Sequence, residues 1–158
     1  MIFVTLGSQK FQFNRLLIYI DELIEEGIIT GEVFAQIGYS NYMPKNFKHK
    51  NFLNREDFVE CLEKSEVVLT HGGTGSIVTA LKARKKVIAI SRKSEFNEHV
   101  DNHQEQIIKR FETKNLLISV ENKEELAQSF SKIVNAEIYK TNTKIILDSI
   151  EKFLLDSL

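Results

Sequence analysis

The chain has 158 residues, 42% of them hydrophobic and 27% charged, with a formal net charge of −1. That length suits one domain with a full core, and the composition is ordinary for a soluble globular protein. Near-neutrality gives no bulk charge to recruit nucleic acid, and the longest apolar run, Leu16 to Ile20, is far too short to span a bilayer.

The N-terminus lacks the basic start and cleavage site of a signal peptide. A single cysteine, Cys61, allows no internal disulfide and reads as a small core residue, so a cytoplasmic location is expected. Ile2 to Leu6 reads as a first strand ending at Gly7-Ser8. Phe13, Leu16, Leu17, Ile20, Leu23 and Ile24 keep the spacing of an amphipathic helix, which Gly27 stops. A second strand spans 33–37 and ends at Gly38. Residues 39–50, with the only proline at Pro44, read as a loop, and 51–53 as a short third strand. A helix over 55–64 turns Phe58, Val59 and Leu62 inward.

The stretch 66–83 organises the chain. Glu66 to Thr70 is an apolar β-branched run fit for a buried strand, and Ile77, Ala80 and Leu81 mark a helix face. Between them His71-Gly72-Gly73-Thr74-Gly75-Ser76 places three glycines in four positions. Such a turn brings a ligand close to bare N–H groups at a helix start, which suits an anion and above all a phosphate. A plain tight connection capped by Thr74 is the alternative. A fifth strand follows at 86–90, a polar loop at 91–97, a helix from Glu98 to Phe111 with Val100, His103, Ile107, Ile108 and Phe111 inward, a sixth strand at 116–120, and helices at 124–134 and 141–158. Without repeat, linker or low-complexity tract, 1–158 reads as one domain. The alternation predicts a doubly wound parallel α/β sheet of Rossmann-like type. In the order 3-2-1-4-5-6 the ligand crevice lies between the first and fourth strands, so that Gly7-Ser8 faces 71–76.

The turn lacks the G-x-G-x-x-G spacing, and neither a Walker motif nor a G-x-S-x-G elbow occurs. Asp101 and Gln104 share a helix side and could hold sugar hydroxyls, or Asp101 could simply complement a helix dipole. His99 and His103 have the i, i+4 spacing of metal ligands but no third ligand, so no metal is expected. Arg92 and Lys93 could neutralise a diphosphate or stay exposed on their loop. Lys82, Arg84, Lys85 and Lys86 read as helix-terminal cations. The last helix carries a broad stripe of Ile145, Ile146, Ile150, Phe153, Leu154 and Leu158, for its own sheet or for a partner.

Together, Ile2 to Ser8, Phe34 to Gly38, Thr70 to Ser76, Arg92 and Glu98 to Gln104 resemble the C-terminal, donor-binding half of the family 28 GT-B glycosyltransferases. The pairing of His-Gly-Gly-Thr-Gly-Ser with His-Val-Asp-Asn-His-Gln is what makes the likeness specific. It is nearest to stand-alone catalytic subunits of split transferases, the PssE-like subunits of bacterial capsule and exopolysaccharide synthesis, often β-1,4-galactosyltransferases. The resemblance implies that Gly7, Ser8, His71, Gly72, Gly73, Thr74, Gly75 and Ser76 hold the diphosphate of a UDP-sugar. It places Arg92, Asp101, Asn102, His103 and Gln104 near the donor. Among this chain's residues His99, Asp101 and His103 are candidate general bases, with a base supplied by the partner as the alternative. It also implies a separate membrane-anchored subunit that binds a lipid-linked saccharide acceptor, and a peripheral place at the inner face of the membrane. Thr79 stands where the family often has an acidic ribose ligand, and Arg84 and Lys86 where it has glycine and proline. The expected activity is inverting hexosyl transfer, galactose first and N-acetylglucosamine or glucose as alternatives; a non-catalytic nucleotide-sugar-binding regulator is the competing reading.

Overall fold

Strands and helices alternate along the chain: β1 (Ile2–Thr5), α1 (Asn14–Glu25), β2 (Val33–Gln36), β3 (Lys48–Lys50), α2 (Arg55–Lys64), β4 (Val67–Thr70), α3 (Thr74–Lys82), β5 (Lys86–Ile90), α4 (His103–Thr113), β6 (Ile118–Val120) and α5 (Lys123–Asn135). This computed structural model describes residues 1–135 and, beyond them, only Asp148, Lys152 and Asp156. The expected apolar stripe over 141–158 therefore lies outside the described residues.

The strands form one parallel sheet in the order β3-β2-β1-β4-β5-β6, as expected. Alternate residues of each strand enter opposite cores. Val4, Leu69 and Ile88 pack with Leu16, Leu17 and Ile20 of α1 and Leu126 of α5. Phe3, Val68 and Val87 pack with Leu62 of α2, Ile77 and Leu81 of α3, and Ile108 and Phe111 of α4. Both faces are covered, which is why the central strands read as unbroken apolar runs.

Three elements, β3, α4 and β6, start well away from where the sequence reading places them, each for a structural reason. β3 lies at Lys48–Lys50, inside the segment read as loop, and not at 51–53. It is the sheet edge, with Lys48 and Lys50 in solvent, so it has no apolar alternation to read. Leu53 has instead turned away, its N–H donating to Gln36 Oε1 (2.8 Å), and Asn54 caps α2 by accepting from Asp57 N–H (2.7 Å). The loop before β3 is bound onto α1. Asn14 Oδ1 accepts from the Asn41 and Tyr42 amides, and buried Asp21 accepts from the Tyr42 hydroxyl and the Lys45 and Asn46 amides.

α4 begins at His103, five residues later than expected. Glu98 is drawn into the interior (1% exposed) by Arg15, and Asp101 accepts the His103 N–H (2.9 Å) to start the helix. Val100, expected inside, is 75% exposed, and His103 is exposed as well. Gln104, Ile108 and Phe111 take the inner face instead.

β6 starts at Ile118 because Leu116 still closes α4, its N–H donating to Phe111 O (3.1 Å). That closure is a Schellman motif with Asn115 at φ +57°. α1 ends the same way at Gly27 and α3 at Arg84, which holds φ +59° where glycine is the usual occupant. Lys85 Nζ then donates to the Glu63 and Ser65 carbonyls, so this expected helix-terminal cation closes α2 as well.

Candidate functional site

All six strands run parallel, so their carboxyl ends share one edge of the sheet, and the strand order reverses between β1 and β4. Gly7 follows β1 there and His71 follows β4. The two touch: a Cβ on Gly7 would fall 2.5 Å from His71 Nε2, and one on Gly73 only 2.2 Å from His71 Cε1. The imidazole is thus wedged between two glycines. Gly7 also needs its φ of +71°, which a residue with a side chain adopts at a cost.

α3 begins at Thr74 with Gly73 as N-cap, and no side chain caps it. Thr74 is therefore the first helical residue and not a cap. The amides of Thr74, Gly75 and Ser76 have no acceptor within the helix and point out of its positive end. Gly75 is exposed, and a Cβ there would meet nothing within 4 Å. Thr79, where the resemblance expects an acidic ribose ligand, is exposed with its hydroxyl turned back onto Gly75 O (2.7 Å). Ser8 is exposed on the other lip.

His71 is 5% exposed. Its Nδ1 accepts from Gly73 N–H (3.0 Å), and Gln104 Nε2 lies 3.3 Å away. Burial first, then the nearby Arg92 cation, pushes its pKa down to about 3, so the ring is neutral at physiological pH. Its Nε2 is buried with no hydrogen-bond partner.

Arg92 is not an exposed loop cation: it is 1% exposed, among the largest buried side chains. Its guanidinium lies over the Phe13 ring (5.2 Å) and donates to the carbonyls of Leu6, Phe11, Gln12 and Glu98. Burial lowers its pKa to about 10, partly offset by Glu98, which leaves it charged. Arg92 thus holds the β1–α1 loop against the end of β5. Beside it Glu98 takes two hydrogen bonds from Arg15 (3.0 and 3.0 Å) and one from the Lys93 amide (2.9 Å). Nothing in the sequence reading singled out Arg15. A cation in the first turn of a helix opposes the dipole, and that was the available sign that it has a partner.

The remaining expected residues separate. His99 and Asp101 form a pair at the edge of the crevice, Nδ1 to Oδ1 3.3 Å, with the His99 ring 5.3 Å from Phe11. Asp101 is exposed, and its pKa is lowered chiefly by the His103 amide. Asn102 Oδ1 accepts from the Ser94 amide and hydroxyl, and so fixes the β5–α4 loop. Gln104 is buried and does not share a surface with Asp101. One group went unread: Tyr39 after β2 and Phe52 after β3 form an edge-to-face pair (5.2 Å), and both are about half exposed at the ligand edge of the sheet. Among the described residues no three His, Cys, Asp or Glu side chains gather as metal ligands would, and no helix is long and apolar enough to cross a membrane.

Comparison with known proteins agrees with this layout. A UDP-N-acetylglucosamine transferase subunit, ALG13, of Kluyveromyces lactis is 38% identical over 76 residues; the match covers 48% of this chain and 36% of that protein. The chain thus spans about a third of that curated relative. The solution structure of ALG13 superposes with a TM-score of 0.55 at 20% identity, over 82% of this chain and 83% of that one. The crystal structure of Acinetobacter baumannii MurG gives 0.58 at 14% identity, over 94% of this chain and 49% of that one. These structural likenesses establish the fold, that of the C-terminal half of a GT-B enzyme. A family model for the glycosyltransferase family 28 C-terminal domain matches residues 1–153, and the chain belongs to that family.

Proposed function

We propose that the chain is the donor-binding, catalytic subunit of a split UDP-sugar hexosyltransferase. The observation that carries this is the uncapped start of α3 at the strand-order reversal, with three unpartnered amides and the buried, unpartnered Nε2 of His71 beside it. Free N–H donors and a helix N-terminus are the chemistry of a diphosphate site. A UDP-sugar lying along the sheet edge would direct its base toward Tyr39 and Phe52, whose exposed faces offer stacking.

In the reaction the acceptor oxygen forms a bond to the anomeric carbon from the face opposite the nucleotide. The bond from that carbon to the diphosphate breaks, and UDP leaves with the electron pair. The acceptor proton goes to a base, for which His99 beside Asp101 and the exposed His103 are this chain's candidates. Charge builds on the diphosphate, where the α3 amides stabilise it by about 0.3–2 kcal/mol as a helix terminus. Useful acceleration needs about 8 kcal/mol or more, so acceptor positioning must supply much of the rest. Arg92 contributes through its field and by bracing the loop, its terminal nitrogens being engaged by four carbonyls.

The likeness spans 49% of the MurG neighbour, and the curated relative is itself named a subunit, which supports a reading in which a second chain supplies the acceptor half. A second, membrane-anchored subunit holding a lipid-linked saccharide completes the proposed enzyme, at the cytoplasmic face and in capsule or exopolysaccharide synthesis. Galactose in β-1,4 linkage is the first sugar to test, with N-acetylglucosamine and glucose beside it, and no divalent metal is required. Calorimetry with uridine, UMP and UDP tests the site, since affinity must rise steeply with the second phosphate. Equal affinity for uridine and UDP would refute it. Transfer by the co-expressed pair separates an enzyme from a nucleotide-sugar-binding regulator, and its survival in EDTA tests metal independence.

A further inference from the structure

Gln104 has a different setting from the one its sequence position implies. It sits in the first turn of α4, 4% exposed. Its Oε1 accepts from two backbone amides, Gly72 and Arg92, each at 3.2 Å. Backbone N–H groups only donate, so they settle which end of the amide is oxygen. Nε2 is then the atom 3.3 Å from His71 Nδ1, and it donates there. Gly73 N–H donates to the same Nδ1 at 3.0 Å. A nitrogen that receives two donors carries no proton. The ring proton therefore resides on Nε2, the atom that is buried without a partner and packed against Gly7. Gln104 also fills the space above the turn: a Cβ on Gly72 would fall 2.5 Å from Gln104 Cβ.

From this geometry we infer that Gln104 is a positioning residue for His71. It holds the ring in the tautomer whose Nε2–H faces the diphosphate site between Gly7 and the start of α3. In doing so it joins the turn after β4 to the loop after β5. This rests on the reading that a diphosphate binds there. An unpartnered buried donor is destabilising until something accepts from it, and a phosphate oxygen is the acceptor this site would take. Arg92, which lowers the basicity of the ring, and His99, which acts on it more weakly, are the charged and titratable groups that oppose a second proton.

The discriminating variant is Gln104→Glu. It keeps an oxygen for the Gly72 and Arg92 amides and replaces only the donor toward His71 with an acceptor. Imidazole 15N spectra of the ligand-free protein report the tautomer directly. The wild type is expected to show Nε2–H with Nδ1 unprotonated, and the variant to carry a proton on Nδ1. In the variant above its new ring pKa, Nε2 becomes an acceptor facing phosphate, and UDP affinity is expected to fall roughly tenfold or more relative to wild type, the order of a lost hydrogen bond to a charged group. Acidification should restore it as the imidazolium regains Nε2–H. The ratio to wild type is taken at each pH so that the nucleotide's own titration cancels. A wild-type ring protonated on Nδ1 overturns the inference without need of the variant, as does an unchanged tautomer in Gln104→Glu. A changed tautomer with unchanged UDP affinity overturns the delivery of Nε2–H to the phosphate. If the wild type shows the expected tautomer but binds no UDP, it is the diphosphate site that has failed, and with it the role given to Nε2–H.

Discussion

Gly75→Ala separates folding from binding at the turn. The other two turn glycines cannot, because a Cβ at Gly72 or Gly73 collides at 2.5 or 2.2 Å with Gln104 or with the His71 ring. At Gly75 the added methyl meets nothing within 4 Å, and its φ is not in the left-handed region. Alanine is favoured over glycine in a helix by about 1 kcal/mol in the interior, and somewhat less this near the end. A gain of about 0.5–1 kcal/mol raises Tm by about 1–4 °C for a chain of this size. Helical Cβ atoms tilt toward the N-terminus, so the methyl projects to the side where the diphosphate would lie over the Thr74 to Ser76 amides. UDP affinity should fall at least tenfold, about 1.4 kcal/mol. Thermal melts and calorimetry on the same sample read both effects. A variant that is more stable and binds UDP as tightly as wild type would refute the placement of the diphosphate on α3.

Arg15→Met leaves the 1%-exposed Glu98 carboxylate with only the Lys93 amide, and should cost about 3–5 kcal/mol in stability. Chemical denaturation reads the loss directly, and a loss below about 1 kcal/mol argues against Glu98 depending on Arg15. His71 has a folded pKa of about 3, below the ordinary histidine value, so the unfolded state binds its proton first. Its contribution is therefore complete above pH ~6.5 and declines by up to about 1.4 kcal/mol per unit as pH drops toward 3. His71→Asn should flatten that part of the stability profile, and an identical profile would place the acid sensitivity elsewhere. Arg84→Gly relieves a left-handed residue at the end of α3 and should raise stability by about 1 kcal/mol in denaturant melts.

The alternation of strand and helix patterns carried the parallel sheet, because buried parallel strands such as Val67–Thr70 have no other composition to choose, and the order assumed for a doubly wound sheet is the one found. The crevice followed from topology, and Gly7 meets His71 across it. What spacing could not show was where polar side chains end. Gln104 and Asp101 look equivalent as neighbours of a sugar, yet one is buried beneath the turn and the other is in solvent. Arg92 reads as a loop cation until the carbonyls of Leu6, Phe11 and Gln12 are seen to converge on it from 80 or more positions away. β3 was hidden because an edge strand of Lys-His-Lys carries no apolar signal. Gln104 and Arg92 are held by long-range polar contacts and β3 is a solvated edge, and neither leaves a local pattern.

The braces among Arg15, Glu98, Arg92 and Gln104 tie the three loops after β1, β4 and β5 into a single wall. A pre-set wall asks for little ordering on encounter, so a donor can dock with a modest entropic penalty. The same stiffness leaves this surface poorly suited to fold over its own cargo. In the proposed enzyme, shielding the anomeric carbon from bulk water would then fall to the second subunit, and the meeting of the two chains would gate the chemistry.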